Sequence, residues 1–237
     1  MLSQGIPKFY YTKRLFCLNK FPSNRSMRKS RDPDMATVQA SCAEKMKVDA
    51  GTRIPTVDRA AFVSAMGGAV TSVNVITTDG PAGAFGVTVS AMASVSADPP
   101  MVLVCVNRRS PACAAIRENG VFCVNLLAAH QHGIADVFAG HPQVGDAFDF
   151  RCAEWQQTIT DSVRLPDAVG TFDCVLHDSY DAGTHTIFIG RVVDVTTSER
   201  VPLAHSRRTY CYPAALSSDF VPPAAGGQQA SAGKASQ

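Results

Sequence analysis

The residues best suited to chemistry form a row of short hydroxyls in segment 86–100, which reads G-V-T-V-S-A-M-A-S-V-S-A-D-P-P. Residues 87–96 alternate with a period of two, which predicts one β-strand whose side chains leave the backbone in opposite directions. One face carries only Thr88, Ser90, Met92, Ser94 and Ser96. A solvated face would more often carry Lys or Glu. The hydroxyls therefore suit a planar polar ligand, although an ordinary half-buried strand explains them equally well.

A second candidate site lies in segment 107–111, N-R-R-S-P, where two arginines precede a predicted helix. Ser110 at the N-cap and Pro111 at the first helical position are typical of a helix start. The free N–H groups of a first turn attract anions, so Arg109 and Ser110 suit a phosphate group. A plain capped helix beside surface arginines explains the same residues. Together with the hydroxyl strand, one ligand could place its phosphate here and its polar ring on residues 88–96.

The histidines are less specific. His185 lies at the exit of a turn ahead of an apolar strand, where it is either a structural or exposed residue or one that flanks a ligand. His130 and His132 are two residues apart, which is not the spacing of helical metal ligands, so no metal site is predicted. The chain also lacks G-x-S-x-G and G-x-G-x-x-G, which disfavours a hydrolytic triad and a Rossmann nucleotide site.

The composition indicates a soluble, cytoplasmic protein. Eight cysteines show neither a C-x-x-C pair nor regular spacing, which is typical of free thiols in a reducing compartment. Residues 1–34 hold eight Lys or Arg and two Asp, so the rest of the chain, with 14 basic and 18 acidic residues, is mildly acidic. We therefore expect no nucleic-acid partner. No apolar run has the length of a membrane span, so we expect no membrane partner either.

The chain is predicted to hold one folded domain between two tails. Residues 1–50 are basic and aperiodic, which favours a disordered extension or an upstream extension from a misplaced start, with a transit peptide as the other interpretation. Residues 51–213 form the folded domain. Residues 214–237 have too little apolar content to fold, so we predict a disordered tail.

The pattern within the domain predicts a β-rich fold. Asp58 is a plausible N-cap for a helix over 59–66, which the glycines at 67 and 68 end. Further helices are predicted after Ser110, ending before Gly120, and over 131–138. Strands are predicted over 69–78, 87–96, 101–106, 121–127, 171–180 and 186–196, the last two joined by a short loop over 181–185. The continuously apolar segment 101–106 is expected to be buried on both faces. Six strands without a βαβ rhythm favour an antiparallel barrel or sandwich.

These residues together resemble the flavin reductase family with the FMN-binding split-barrel fold, over about residues 58–212. The resemblance implies a mainly β fold, an antiparallel split β-barrel of the Greek-key, FMN-binding type with a few short flanking helices. It is carried by four segments, A-M-G-G-A-V…V-I-T-T-D-G at 65–80, the hydroxyl segment at 86–100, F-C-V-N-L-L at 122–127 and G-T-H-T-I-F-I-G-R-V at 183–192.

The resemblance also implies roles for individual residues. The strand from Thr88 to Met92, which includes Val89, Ser90 and Ala91, would run along the isoalloxazine ring. Arg109 and Ser110 would hold the phosphate, with Ser94 and Ser96 on the ribityl and phosphate groups. His185 would meet the nicotinamide, next to Thr184 where the family often has Asp. The remaining implied cofactor-binding residues are Asn125, Phe138, Ala139, Gly140 and Tyr210, the last within P-L-A-H-S-R-R-T-Y at 202–210.

The function that follows from the resemblance is an NAD(P)H-dependent flavin reductase. Such an enzyme would take FMN or FAD, with NADH or NADPH as co-substrate, and pass diffusible reduced flavin to a partner monooxygenase. The flavin would carry the chemistry, so no general acid or base is obligatory. The resemblance implies a homodimer. Two other classes remain open at this point: a flavoprotein electron carrier that retains its flavin, and a non-catalytic flavin-binding barrel.

Overall fold

The computed structural model describes residues 55–215 of the 237-residue chain. The basic segment 1–50 and nearly all of 214–237 lie outside the described residues, so the disorder expected there stays a prediction. Twelve strands are described: β1 (Thr71–Ser72), β2 (Asn74–Thr78), β3 (Phe85–Val89), β4 (Met92–Ala97), β5 (Pro100–Asn107), β6 (Val121–Leu126), β7 (Gln156–Gln157), β8 (Val163–Arg164), β9 (Gly170–Ala182), β10 (His185–Thr197), β11 (Ala204–Ser206) and β12 (Thr209–Cys211). Three α-helices accompany them: α1 (Arg59–Gly67), α2 (Pro111–Asn119) and α3 (His132–Phe138).

Seven strands form one antiparallel sheet in the order β3-β2-β6-β9-β10-β5-β4. Its two edge strands, β3 and β4, are consecutive in the chain and are joined only by Ser90 and Ala91. The sheet must therefore curve until its edges approach each other. The N–H of Cys105 in β5 donates to the carbonyl of Ala91 at 3.1 Å, close to that junction. The result is an antiparallel barrel that is split between its edge strands.

The prediction of one continuous strand over 87–96 is wrong. The segment breaks at Ser90 and Ala91, and β4 carries a register shift against β5 between Ser94 and Ser96. A break and a bulge let a strand turn the corner of a barrel, which an uninterrupted flat strand does not do. The two halves of the hydroxyl row therefore lie on different edges of the sheet.

Two apolar clusters fill the fold. The barrel interior is packed by fully buried side chains such as Val104, Phe122 and Phe188. The second cluster surrounds α3 and includes Leu127 and Phe138. Gly86 allows β3 to approach α3 closely, because a Cβ at this position would lie 2.4 Å from the ring of Phe138. This packing fixes β3 against α3.

The predicted helix boundaries are largely confirmed. The Oδ2 atom of Asp58 accepts hydrogen bonds from the N–H groups of Ala60 and Ala61, at 2.8 and 3.1 Å, and caps α1. Pro111 begins α2, and Gly120 ends it in the left-handed region with φ of 67°. The apolar stripe of α1 is exposed, and no residue of that helix is buried.

Three strand predictions need correction. The strand over 69–78 splits at Val73, whose N–H and carbonyl bond to Leu203 and Leu127 instead of continuing one ladder. The strand at 101–106 is not buried on both faces, since β5 buries only alternate residues toward the barrel interior. The loop before His185 shrinks to a two-residue turn of Gly183 and Thr184, with Gly183 at φ of 58°.

A membrane-spanning helix is absent from residues 55–215, whose longest helices have nine residues.

Candidate functional site

The β9–β10 hairpin and the β5–α2 loop meet at one end of the barrel. Their ladder pairs His185 at the start of β10 with Asn107 at the end of β5. The N–H of Arg108 donates to the carbonyl of Thr184 at 3.0 Å, which joins the loop to the hairpin turn. Between them lies an open groove of about 600 Å³, here called the hairpin groove, lined by Arg59, Asn107, Arg108, Arg109, Gly183, Thr184 and His185. The fold therefore brings Arg109 and His185 together.

His185 is exposed and is oriented by its neighbour. Its Nδ1 atom shares a 2.9 Å hydrogen bond with the hydroxyl of Thr184. Its Nε2 atom makes no hydrogen bond with any residue of 55–215, so that nitrogen is open to a ligand in the groove. Thr184 thus contacts the histidine directly, in the position where the resemblance leads one to expect a carboxylate.

The carboxylate of Asp181 is the centre of a network beneath this groove. It accepts hydrogen bonds from the hydroxyl of Thr186 at 2.7 Å and from the guanidinium of Arg117, and it lies 3.6 Å from Arg108. The bond from Thr186, followed by the bond from Arg117, lowers the pKa of Asp181 below its usual range. Sequence reasoning missed this residue, because no local spacing relates Asp181 to Arg117.

The side chains expected to bind an anion at the start of α2 have neither a capping bond nor an ion pair among residues 55–215. Ser110 is half-buried, with an extended backbone at the N-cap position, and its side chain makes no capping hydrogen bond. The side chain of Arg109 forms no ion pair with a carboxylate of residues 55–215. The hydroxyl, the guanidinium and the first-turn N–H groups together fit a phosphate.

The hydroxyl row does not act as one surface. Thr88 donates its hydroxyl to the carbonyl of Ala135 at 2.8 Å, so this side chain ties β3 to α3. Ser90 and Ser94 are exposed, whereas the hydroxyl of Ser96 accepts the N–H of Asp98 at 3.2 Å. Val89 is buried and Met92 packs on the barrel core, while Ala91 is exposed at the junction of the strands.

Within one chain, Ser96 lies far from Arg109 and Ser110, the residues expected to hold the phosphate. Ser96 pairs with Met101 at the beginning of β5, while Asn107 and the arginine loop lie at its other end. Six residues of strand span about 20 Å at about 3.3 Å each. One phosphate cannot contact Ser96 and Arg109 of the same chain at once.

Two residues that the resemblance points to lie in the core. Asn125 is fully buried, donates to the carbonyl of Val75 at 3.0 Å and accepts the N–H of Leu165 at 2.7 Å. Phe138 is fully buried against the rings of Phe150 and Trp155. Their side chains hold β6 and α3 in place and present no free polar atom to a ligand of this chain. The neighbouring Ala139 and Gly140 do reach the surface.

Tyr210 lies in a second, smaller groove. This groove of about 220 Å³ is lined by Val73, Thr88, Val89, Ser90, His205 and Tyr210. The Tyr210 hydroxyl donates to Asp136 at 2.8 Å. Burial, and then the carboxylate of Asp136, raises the pKa of Tyr210 to about 12, so the phenol is a neutral donor at physiological pH. The expected site residues that line a groove are thus divided between two grooves rather than gathered in one.

The remaining titratable groups of residues 55–215 include free cysteines but no metal-binding cluster. No cluster of His, Cys, Asp or Glu in this range could hold a metal ion. The six cysteines in it are free. Burial raises the pKa of Cys174 to about 12, which keeps that thiol protonated and unreactive.

An antiparallel barrel split between β3 and β4, with a phosphate-compatible helix start beside an oriented histidine, defines a protein of the flavin-binding split-barrel class. The family model described as the flavin reductase like domain matches residues 66–214. The chain therefore belongs to the flavin reductase family, and the fold and family predictions are confirmed.

Individual proteins agree with this assignment. The chain is 39% identical over 158 residues to the FMN reductase (NADH) RutF of Acinetobacter baylyi, which covers 66% of this chain and 83% of that protein. It is 41% identical over 133 residues to RutF of Variovorax paradoxus, covering 56% and 73%. A solved flavin reductase of Haemophilus somnus superposes with a TM-score of 0.62 at 33% identity, covering 66% of this chain and all of that one. BorF, the flavin reductase component of a bacterial two-component tryptophan halogenase, gives 0.59 at 28%, covering 65% and 98%.

Proposed function

We propose that this chain is an NADH-dependent FMN reductase that passes reduced flavin to a partner oxygenase. The observation that carries the proposal is the hairpin groove, where Arg109 lies beside the exposed imidazole of His185. Ser110, whose side chain makes no capping hydrogen bond, follows Arg109 at the start of α2. The names of the RutF relatives support FMN and NADH as the substrates. The name of BorF supports a two-component system with a separate oxygenase.

The side chains have separate tasks in this proposal. Arg109, Ser110 and the first turn of α2 bind the flavin phosphate. His185, oriented by Thr184, contacts the nicotinamide and positions it against the ring. Flavin held by these residues would supply the redox chemistry, the acceptance of a hydride from the nicotinamide. The protein's contribution is to orient the two rings, so no acid or base of this chain is required.

We also propose a homodimer in which a second copy completes the cofactor site. Helix α1 presents an apolar face of Ala61, Phe62, Ala65 and Met66, in which Phe62 is 55% and Met66 54% exposed. Exposed apolar patches of this kind mark interfaces. The separation of Ser96 from Arg109 supports the same arrangement, since only Ser96 of one copy and Arg109 of another could share one phosphate.

The open groove favours exchange of flavin over its retention. A ligand held in a groove open to solvent dissociates more readily than one enclosed by the barrel, which suits diffusible reduced flavin. We further infer a reducing compartment such as the cytoplasm from the free cysteines.

Steady-state oxidation of NADH and NADPH with FMN, FAD and riboflavin tests the proposal. We expect turnover with NADH and FMN, and flavin that separates from the protein on gel filtration. Yellow protein that retains its flavin through the column would instead identify an electron carrier. Absence of flavin binding would identify a non-catalytic barrel.

A further inference from the structure

An excess of positive charge surrounds the hairpin groove and continues past it. Five arginines of residues 55–215 form no ion pair with a carboxylate in that range. Four of these five line two neighbouring grooves: Arg59, Arg109, Arg207 and Arg208. Asp58 is the one carboxylate that lines the groove of Arg207 and Arg208, and it already accepts hydrogen bonds from N–H groups of α1.

Arg59 belongs to both grooves and joins them. It lines the hairpin groove together with His185, and it lines a larger open groove of about 980 Å³, here called the arginine groove. The arginine groove is bounded by one face of α1 and by the turn between β11 and β12. The residues of α1 that line it, such as Ala60, Val63 and Gly67, are turned away from Phe62 and Ala65 of the apolar face assigned above to the second copy. None of the four residues of that apolar face lines the arginine groove.

The turn that carries Arg207 and Arg208 has an unfavourable composition. Both residues are left-handed, with φ of 49° and 64°, in a two-residue hairpin turn. Such turns favour Asn-Gly, because these residues adopt positive φ most readily. The N–H of Arg207 donates to the carbonyl of Gly67 at 2.7 Å, which fixes the turn against the end of α1. Backbone strain beside two like charges does not stabilise the fold, and strain of this kind points to a ligand.

We propose that the arginine groove binds the phosphate-bearing adenosine half of a dinucleotide. This inference rests on the proposed function, because it places the nicotinamide half at His185 in the adjoining groove. A mononucleotide would fill only the hairpin groove, whereas a dinucleotide reaches past Arg59 toward Arg207 and Arg208. Guanidinium groups bind phosphate oxygens through paired N–H donors, which suits a pyrophosphate. The same half occurs in NADH and in FAD, and the continuity with His185 favours NADH.

The test is a double substitution, Arg207→Asn with Arg208→Gly, which removes both charges and supplies the residues that the turn prefers. We expect the KM for NADH to rise about tenfold or more, the factor for one charge-assisted hydrogen bond. The KM for reduced nicotinamide mononucleotide, which lacks the adenosine half, should stay unchanged. The melting temperature should rise, because the strain is relieved, and this excludes misfolding as the cause. Arg191→Gln is the matched control, since Arg191 is also exposed and unpaired among residues 55–215 but lines neither groove.

The outcomes separate the two possible ligands and the two proposals. A KM that rises for FAD but not for NADH would support the groove with FAD as its dinucleotide. Unchanged KM values for both dinucleotides would overturn the inference while leaving the reductase intact. A wild type that reduces no flavin would overturn the proposed function, and titration calorimetry with 5′-ADP would then decide the groove. Binding of 5′-ADP that the double variant loses would support it, and no binding to the wild type would overturn it.

Discussion

Asp181 and Arg117, 64 residues apart in the sequence, form an ion pair that ties the β9–β10 hairpin to helix α2. His185 begins the second strand of the hairpin and Arg109 lies just before the helix, so this pair holds together the two residues on which the proposed chemistry depends. Thr186 donates to the same carboxylate. Asp181 is therefore a positioning residue, which acts through the elements that it joins.

Arg109→Ala is expected to weaken FMN binding by about 1.5–3 kcal/mol, the range for a hydrogen bond to a charged group. Riboflavin has no phosphate, so its affinity should change little. Titration of each flavin into the two proteins, followed by protein fluorescence, measures both constants. Equal losses for FMN and riboflavin would show that Arg109 does not contact the phosphate.

His185→Ala is expected to leave FMN affinity nearly unchanged and to slow reduction of bound flavin by NADH. The imidazole is exposed and stabilises no core, so the melting temperature should stay the same. Single-turnover stopped-flow measurement of flavin reduction separates the two effects. The assignment fails if the variant releases flavin yet reduces the bound fraction at the normal rate.

Asp181→Asn is expected to flatten the acid side of the stability profile. The pKa of Asp181 is lower in the folded chain than its ordinary value, so its contribution to the free energy of unfolding is present above about pH 4. That contribution is lost as the pH falls through the folded pKa. Melting temperatures from about pH 2 to 7 should therefore separate wild type from variant at neutral pH and converge in strong acid.

Asp161→Asn is the matched control for this series, because Asp161 is exposed and forms no ion pair with a residue of 55–215. If the difference in melting temperature between the wild type and Asp181→Asn persisted unchanged into strong acid, it would contradict a stabilising role of the ionised Asp181 carboxylate.

Phe62→Ser with Met66→Ser is expected to convert a dimer into a monomer. Both side chains are about half exposed in one chain, so their loss should affect association more than folding. Sedimentation velocity at micromolar protein measures the association. Ile159→Ser, which replaces an exposed apolar residue elsewhere, should leave the dimer intact. A wild type that is fully active and purely monomeric at that concentration would refute the dimer.

Local features of this protein follow from the sequence by itself. Asp58 caps α1, Pro111 begins α2 and Gly120 ends it, as their positions predict. Caps and left-handed glycines depend on interactions within a few residues, and the sequence displays those interactions directly. The strands could be predicted for the same reason, because the alternation of side chains along a strand is visible within a few residues. The family could be recognised because its segments keep their order along the chain.

The tertiary structure decided which of the recognised side chains are free to bind. Thr88 bonds to Ala135 and Asn125 to Val75 and Leu165, partners that lie 40 or more residues away. The break at Ser90 and Ala91 follows from the curvature of the whole seven-stranded sheet, which the sequence of one strand does not show. The joining of two grooves at Arg59, like the pairing of Asp181 with Arg117, arises only when distant elements meet. Contacts between distant residues depend on the path of the whole backbone, and the spacing of residues in a sequence does not encode that path.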